Sequence, residues 1–236
     1  MMAPYVRLHM FFATENDRAV ILRQGPSKQY RMILWHRDTD TFQDGQWIKQ
    51  RVYIDMCDLS PDGQHFIYFT LHGQWSDQSE GAYTVISRPP YFTALSLFPD
   101  GSTWGGGGRF VDNKKYVATG GNDIIGRSER LTRLQRVAPT KANLAGICRP
   151  DGKPVKVSDE QAARVNAPIG TSGDAALDRY DTLGGKLYRR VGEDFELIRD
   201  FTDMSFERIR APYDWRDVEN DADPAPWHPL DSEQKR

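Results

Sequence analysis

Five histidines (His9, His36, His65, His72 and His228) and 33 acidic side chains are the groups in this chain that acid–base or metal chemistry would draw on. Their spacing matches none of the patterns such chemistry uses. There is no His-Glu-x-x-His and no paired Cys and His at zinc-finger intervals, so neither a metal nor a cofactor is expected. His65 and His72 lie close enough in sequence to converge across a hairpin, but a histidine between Gln64 and Phe66 in a strand reads as a satisfied or surface residue. Carboxylates pair at Asp38 and Asp40, Asp55 and Asp58, and Asp200 and Asp203. The first of these, with Asp44-Gly45, has the composition of hairpin turns, and the EF-hand pattern is missing. No Gly-x-Ser-x-Gly elbow is present, and Ser60 belongs to a turn that already explains it. Catalytic residues are therefore left unassigned, and an enzyme is the weaker expectation.

Groups able to bind are better represented. The run Gly105-Gly106-Gly107-Gly108 exposes backbone N–H groups that can cradle an anion, yet it lacks the Lys-Ser/Thr ending of a phosphate loop. A bulge, a close strand crossing or a rim loop is the reading preferred. Arg127, Arg130, Arg133 and Arg136 recur every three residues, and on a helix they would form a basic stripe opposite Leu131, Leu134 and Val137. Such a stripe would meet phosphate or an acidic partner, or else be a solvated face balanced by Glu129. Trp35, Trp47, Trp75, Trp104, Tyr83, Tyr91 and Tyr213 include several beside turn residues. Rim loops would present these as protein-interface anchors or sugar-stacking platforms, with core packing as the competing fate. The binding set drawn from these readings is Trp47, Trp75, Trp104, Arg130, Arg133 and Trp227.

The elements that must position these groups are mostly strands. In Leu59-Ser60-Pro61-Asp62-Gly63-Gln64 proline presets the first corner, Asp bonds its own backbone and Gly accepts positive φ. Alternating Val52, Ile54 and Met56 before the turn, and Phe66-Ile67-Tyr68-Phe69 after it, predict a hairpin there. The device returns at Pro99-Asp100-Gly101 and, more weakly, at Pro150-Asp151-Gly152, a spacing in the range of propeller blades. Gly184-Gly185 and Gly192-Glu193-Asp194 mark a further hairpin. Strands are predicted over Val6–Phe12, Ala19–Leu22, Tyr30–His36, Gln46–Tyr53, Ala82–Ser87 and Tyr91–Phe98. One helix is predicted from Ser158 to Arg164, where Ser158 and Gln161 have capping-box spacing, and residues 128–137 read equally as helix or strand.

The segment Asp58 to Phe69 resembles the Ser-Pro-Asp-Gly strand pair of TolB-type, WD40-like β-propeller repeats. Two degenerate copies accompany it. After Gly101 the expected strand is broken by the glycine run, after Gly152 by Pro154, and the Gly-His and Trp-Asp signature of true WD40 repeats is absent. The whole chain also resembles an uncharacterised bacterial protein family, which carries no function over. The resemblance implies a mainly β fold: a small β-propeller or propeller-like antiparallel sheets with a short helix, and a β-sandwich as runner-up.

At 236 residues, one β-rich domain over 1–213 is expected, followed by an acidic, proline-containing arm over 214–236 that carries Trp215 and Trp227. A net charge of -2 gives no global field toward nucleic acid or an anionic membrane, and no apolar run is long enough to span a bilayer. A leader is not recognised, and Cys57 and Cys148 sit in apolar runs as unpaired structural thiols, so a soluble cytoplasmic protein is expected. The functional expectation is a non-catalytic scaffold or regulatory subunit that binds a protein through rim loops. A lectin-like or small-ligand-binding propeller is the alternative, and a hydrolase assembled from separate blades the third.

Overall fold

Among the described residues, apolar runs separated by tight turns fold into four small sheets laid face to face. In the computed structural model, residues 5–141, 143–167 and 179–214 are described. Trp215, Trp227 and the rest of the acidic arm beyond Asp214 lie outside the described residues. The first sheet is an antiparallel meander of β1 (Arg7–Phe12), β2 (Arg18–Gln24), β3 (Tyr30–His36) and β4 (Thr41–Ile48). The second repeats it with β5 (Arg51–Leu59), β6 (Phe66–Leu71), β7 (Ala82–Ser87) and β8 (Ala94–Pro99). The third holds β9 (Gly108–Phe110), β10 (Lys115–Ala118), β11 (Thr132–Arg136) and β12 (Ile147–Cys148), with β10 and β11 parallel. Helix α1 (Asp159–Asn166) follows, then a three-stranded sheet of β13 (Tyr180–Leu183), β14 (Lys186–Val191) and β15 (Asp194–Asp200).

The core explains why the central strands read as unbroken apolar runs. One face of β6 and β7 offers Phe66, Tyr68, Tyr83 and Val85 to Val20, Leu22 and Met32 of the first sheet. The other offers Ile67 and Ile86, with Phe98, to Phe110 and Tyr116 of the third. A strand covered on both faces has no reason to alternate. The opposite face of the first sheet packs Ile21, Ile33 and Trp35 on Leu187 and Phe201, and the third sheet closes Val117, Leu134 and Ile147 under Val165 of α1. The layers therefore run fourth, first, second, third, helix. The leading strands adjoin, β1 with β5 and β13, and β5 with β9, and no closed propeller forms among the described residues.

The Pro61 turn has the chemistry expected of it. Ser60 Oγ accepts from the N–H groups of Gln64 and His65, Asp62 Oδ1 accepts from Gln64 N–H at 3.0 Å, and Gly63 sits at φ +68. The turn also packs outward, since Pro61 O accepts the N–H groups of Thr14 and Glu15 from the first sheet. Pro99-Asp100-Gly101 is different. It ends β8 and launches a crossing to β9 in the next sheet, so it is not a hairpin. Pro150-Asp151-Gly152 does fold back, through Arg149 N–H to Lys153 O and a single bridge between Cys148 and Pro154.

Three further expectations need correction or completion. The strand predicted over 46–53 is two strands in different sheets, broken at Lys49-Gln50. The reason is Gln50, whose buried Oε1 accepts from Tyr83 Oη at 2.7 Å and Thr70 Oγ1 at 3.3 Å and pins the chain where it changes sheets. Residues 132–136 form a strand, so the arginines make no helical stripe. The capping box is present, with Gln161 N–H donating to Ser158 Oγ and Ser158 N–H to Gln161 Oε1.

Candidate functional site

The crossing from β8 to β9 forms one wall of a concavity between the second and third sheets. Gly106 passes so close to Phe69 that a Cβ would lie 2.0 Å from a ring carbon, and a Cβ on Gly107, at φ +92, would lie 2.3 Å from Met56 O. Only glycine lets the backbone lie this close to a buried ring. The close-crossing reading of the run is the one the structure shows. Thr84 Oγ1 accepts Gly107 N–H at 2.8 Å, and Gly107 O accepts the N–H and hydroxyl of Thr119. A second glycine pair, Gly120-Gly121, thereby faces the first across a groove of about 870 Å³.

Three arginines line this groove. Arg133, from β11, lays its guanidinium 4.4 Å from the Phe98 ring centroid and donates to Ala118 O, Gly120 O and Gly121 O. Arg109, from β9, donates to Cys57 O, Gly108 O and Asp55 O at 2.9 to 3.2 Å. Arg136 donates to Asn166 Oδ1 at 3.1 Å and to Val165 O, which ties β11 to the end of α1. Burial lowers the pKa of Arg133 and Arg136, and the Arg109 charge lowers Arg136 further. Arg136 and Arg109 went unrecognised as a pair because one was read as part of a helical stripe and the other not read at all. The parallel pairing of β10 and β11, invisible locally, brings them together.

The remaining members of the binding set divide. Trp104, in the crossing loop, is 91% exposed, and Trp75, in the β6–β7 loop, is 54% exposed. Their loops meet where Glu80 abuts Gly101, and the Trp75 ring covers Gly81. Arg130 is exposed in the loop before β11 and does not line the groove. Trp47 is not on a rim. It is 3% exposed, between the guanidiniums of Arg23 and Arg31 at 5.3 and 5.4 Å, with Phe206 at 6.1 Å. The segment following β15 covers it, and nothing local to Trp47 announces that. An apolar face also emerges that the residue-type reading missed. Cross-strand pairs Tyr188 with Leu197 and Arg190 with Phe195 place both half-exposed apolar residues on one side of the fourth sheet.

The Trp75 loop is held by a buried polar cluster. His72 places Nδ1 3.0 Å from Gly81 O and Nε2 2.5 Å from Asp77 Oδ2, while Asp77 Oδ1 accepts from Ser79 N–H and Oγ. Both ring nitrogens of His72 thus face oxygen atoms of this loop. Burial acts to raise the Asp77 pKa, but the Ser79 and His72 hydrogen bonds outweigh it, leaving it below the ordinary 3.8. A depressed carboxylate stabilises fully above its unfolded value and loses that contribution as pH falls through the folded one. Asp77→Asn is therefore expected to lower the melting temperature at pH 7 by an amount corresponding to ~1–2 kcal/mol. The gap to wild type should narrow below pH 3.8. Equal gaps at neutral and acid pH would refute the ionised pairing.

Asp58 of the Asp55/Asp58 pair is also structural, accepting Phe110 N–H at 2.7 Å and the Arg164 guanidinium at 3.1 Å. Burial raises its pKa, against the pull of Arg164. Cys57 and Cys148 are buried and unpaired, and burial pushes the Cys57 thiol well up. Among the described residues no three His, Cys, Asp or Glu side chains form a metal-holding group. No helix there is long and apolar enough to cross a membrane. No family model matches the chain, and neither curated proteins nor solved structures give a significant match.

Proposed function

We propose that this chain is a non-catalytic binding module of propeller-like blades that docks a protein partner on the end of the second sheet, where Trp104 and Trp75 project. The observation that carries the reading is Trp104, 91% exposed on a loop whose following residues are fixed against Phe69 and Met56. A large aromatic side chain left in water forgoes roughly 3 kcal/mol of burial, and tryptophan is the residue most enriched among interface anchors. Adjoining leading strands support the blade-like arrangement, and the two buried, unpaired thiols favour a reducing, cytoplasmic setting.

Trp104→Ala, alone and with Trp75→Ala, is expected to leave folding stability within about 0.5 kcal/mol while abolishing co-purification of a stoichiometric protein from the native host. A wild-type protein that never retains a partner overturns the docking reading. Exposed indoles equally suit sugar stacking, so glycan-array binding lost with Trp104→Ala would move the assignment to the lectin-like alternative.

A further inference from the structure

We propose that the groove between the second and third sheets binds a small polyanion through Arg109, Arg133 and Arg136, its ligand being a compound with two or more carboxylate or phosphate groups. Trp104 does not line the groove, although the loop that carries it forms one wall, and neither proposal depends on the other. Among the described residues no Asp or Glu lines the groove, although three guanidiniums do. None of the three is ion-paired with a described residue: their partners are the carbonyls of Asp55, Cys57, Gly108, Ala118, Gly120, Gly121 and Val165 and the Asn166 amide oxygen. Neutral acceptors orient a guanidinium without cancelling its charge.

Two described acids act on these arginines through space, Asp58 on Arg109 and Asp123 on Arg133, and both have hydrogen-bond partners of their own. Asp58 is held by Arg164 and Phe110 N–H, and Asp123 Oδ1 accepts the N–H groups of Leu97, Ile125 and Gly126 at 3.0 to 3.1 Å. Burial and then the Arg109 charge lower the Arg136 pKa, which places these two guanidiniums within electrostatic reach of each other. At about 870 Å³ the groove is of small-ligand size. Planar guanidiniums match carboxylate and phosphate oxygens, and their fixed positions reduce the ordering that binding costs.

The test is calorimetric titration of the full chain at low ionic strength with inorganic pyrophosphate and, separately, citrate, alongside melting curves. Binding of either, weakened by added salt, is expected; pyrophosphate alone would identify a phosphate ligand and citrate alone a carboxylate one. Asn122→Asp and Gln135→Glu place a tethered carboxylate among groove-lining residues that are themselves exposed. Each should weaken anion binding roughly five- to tenfold and leave the low-salt melting temperature equal or higher. Absence of heat and of any melting shift with both anions overturns the proposal. So does binding that neither variant weakens, which would mark an adventitious ion only, or a lower melting temperature in both variants.

Discussion

Gly106→Ala is expected to destabilise the protein by about 3 kcal/mol. The new Cβ would lie 2.0 to 2.3 Å from three carbons of the Phe69 ring. Phe69 cannot step aside easily, because it is fully buried and packs on Tyr53 at 5.1 Å between centroids. The crossing chain cannot lift away either. Gly107 is held by Thr84 and Thr119, and on its other side the Met56 carbonyl leaves no room. Urea denaturation should show a lower midpoint with an unchanged slope, the signature of lost stability in an otherwise similar native state. Phe69→Leu combined with Gly106→Ala should cost less than the sum of the two singles, since the second change opens the space the first needs. Additive losses would mean that the clash is relieved by backbone movement, and would remove the argument for a rigid groove wall.

That wall illustrates what the chain reveals locally and what it does not. The Pro61 hairpin, the Ser158 capping box and the Gly184-Gly185 turn are decided by neighbours within a few residues, and each forms where those neighbours require it. The glycine run could likewise be read as a close crossing, because four consecutive residues without side chains have few other uses. The groove is another matter. It is assembled from residues 105–109, 117–122, 133–136 and 165–167, and the parallel pairing of β10 with β11 that joins two of these segments leaves no periodic trace. Arginines at every third position would make one face of a helix; in the strand that forms, both Arg133 and Arg136 line the groove, Arg133 bonded to the Gly120 loop and Arg136 to the end of α1. Trp47 and Trp104 show the same division. Both stand near turns, yet one is covered by Phe206 and the arginines of β2 and β3, and the other by nothing comparable.

Arg23→Met is the substitution expected to separate the fourth sheet from the rest. Arg23 is 1% exposed, and its guanidinium donates to Phe201 O and Thr202 O at 3.1 Å each and to Gly25 O, while facing the Trp47 ring. Burial holds its pKa below the ordinary value, and the neighbouring Arg31 charge lowers it further. Two effects therefore oppose each other on substitution. Removing a buried cation relieves desolvation and the repulsion from Arg31, whereas orphaning the Phe201 and Thr202 carbonyls costs about 1–3 kcal/mol apiece. Methionine fills the stem volume but supplies no donor, so the carbonyl loss should win, at a net ~3 kcal/mol. Arg23→Lys should recover only part of this, because one ammonium cannot match a planar fork spread over three carbonyls. The location of the loss matters more than its size. Phe201 immediately follows β15 and seats the fourth sheet on Ile33 and Trp35. Amide exchange should therefore accelerate first in β13–β15, with β6 and β7 protected to the global limit. Uniform acceleration across all four sheets would show that Arg23 stabilises the whole fold and not this one junction.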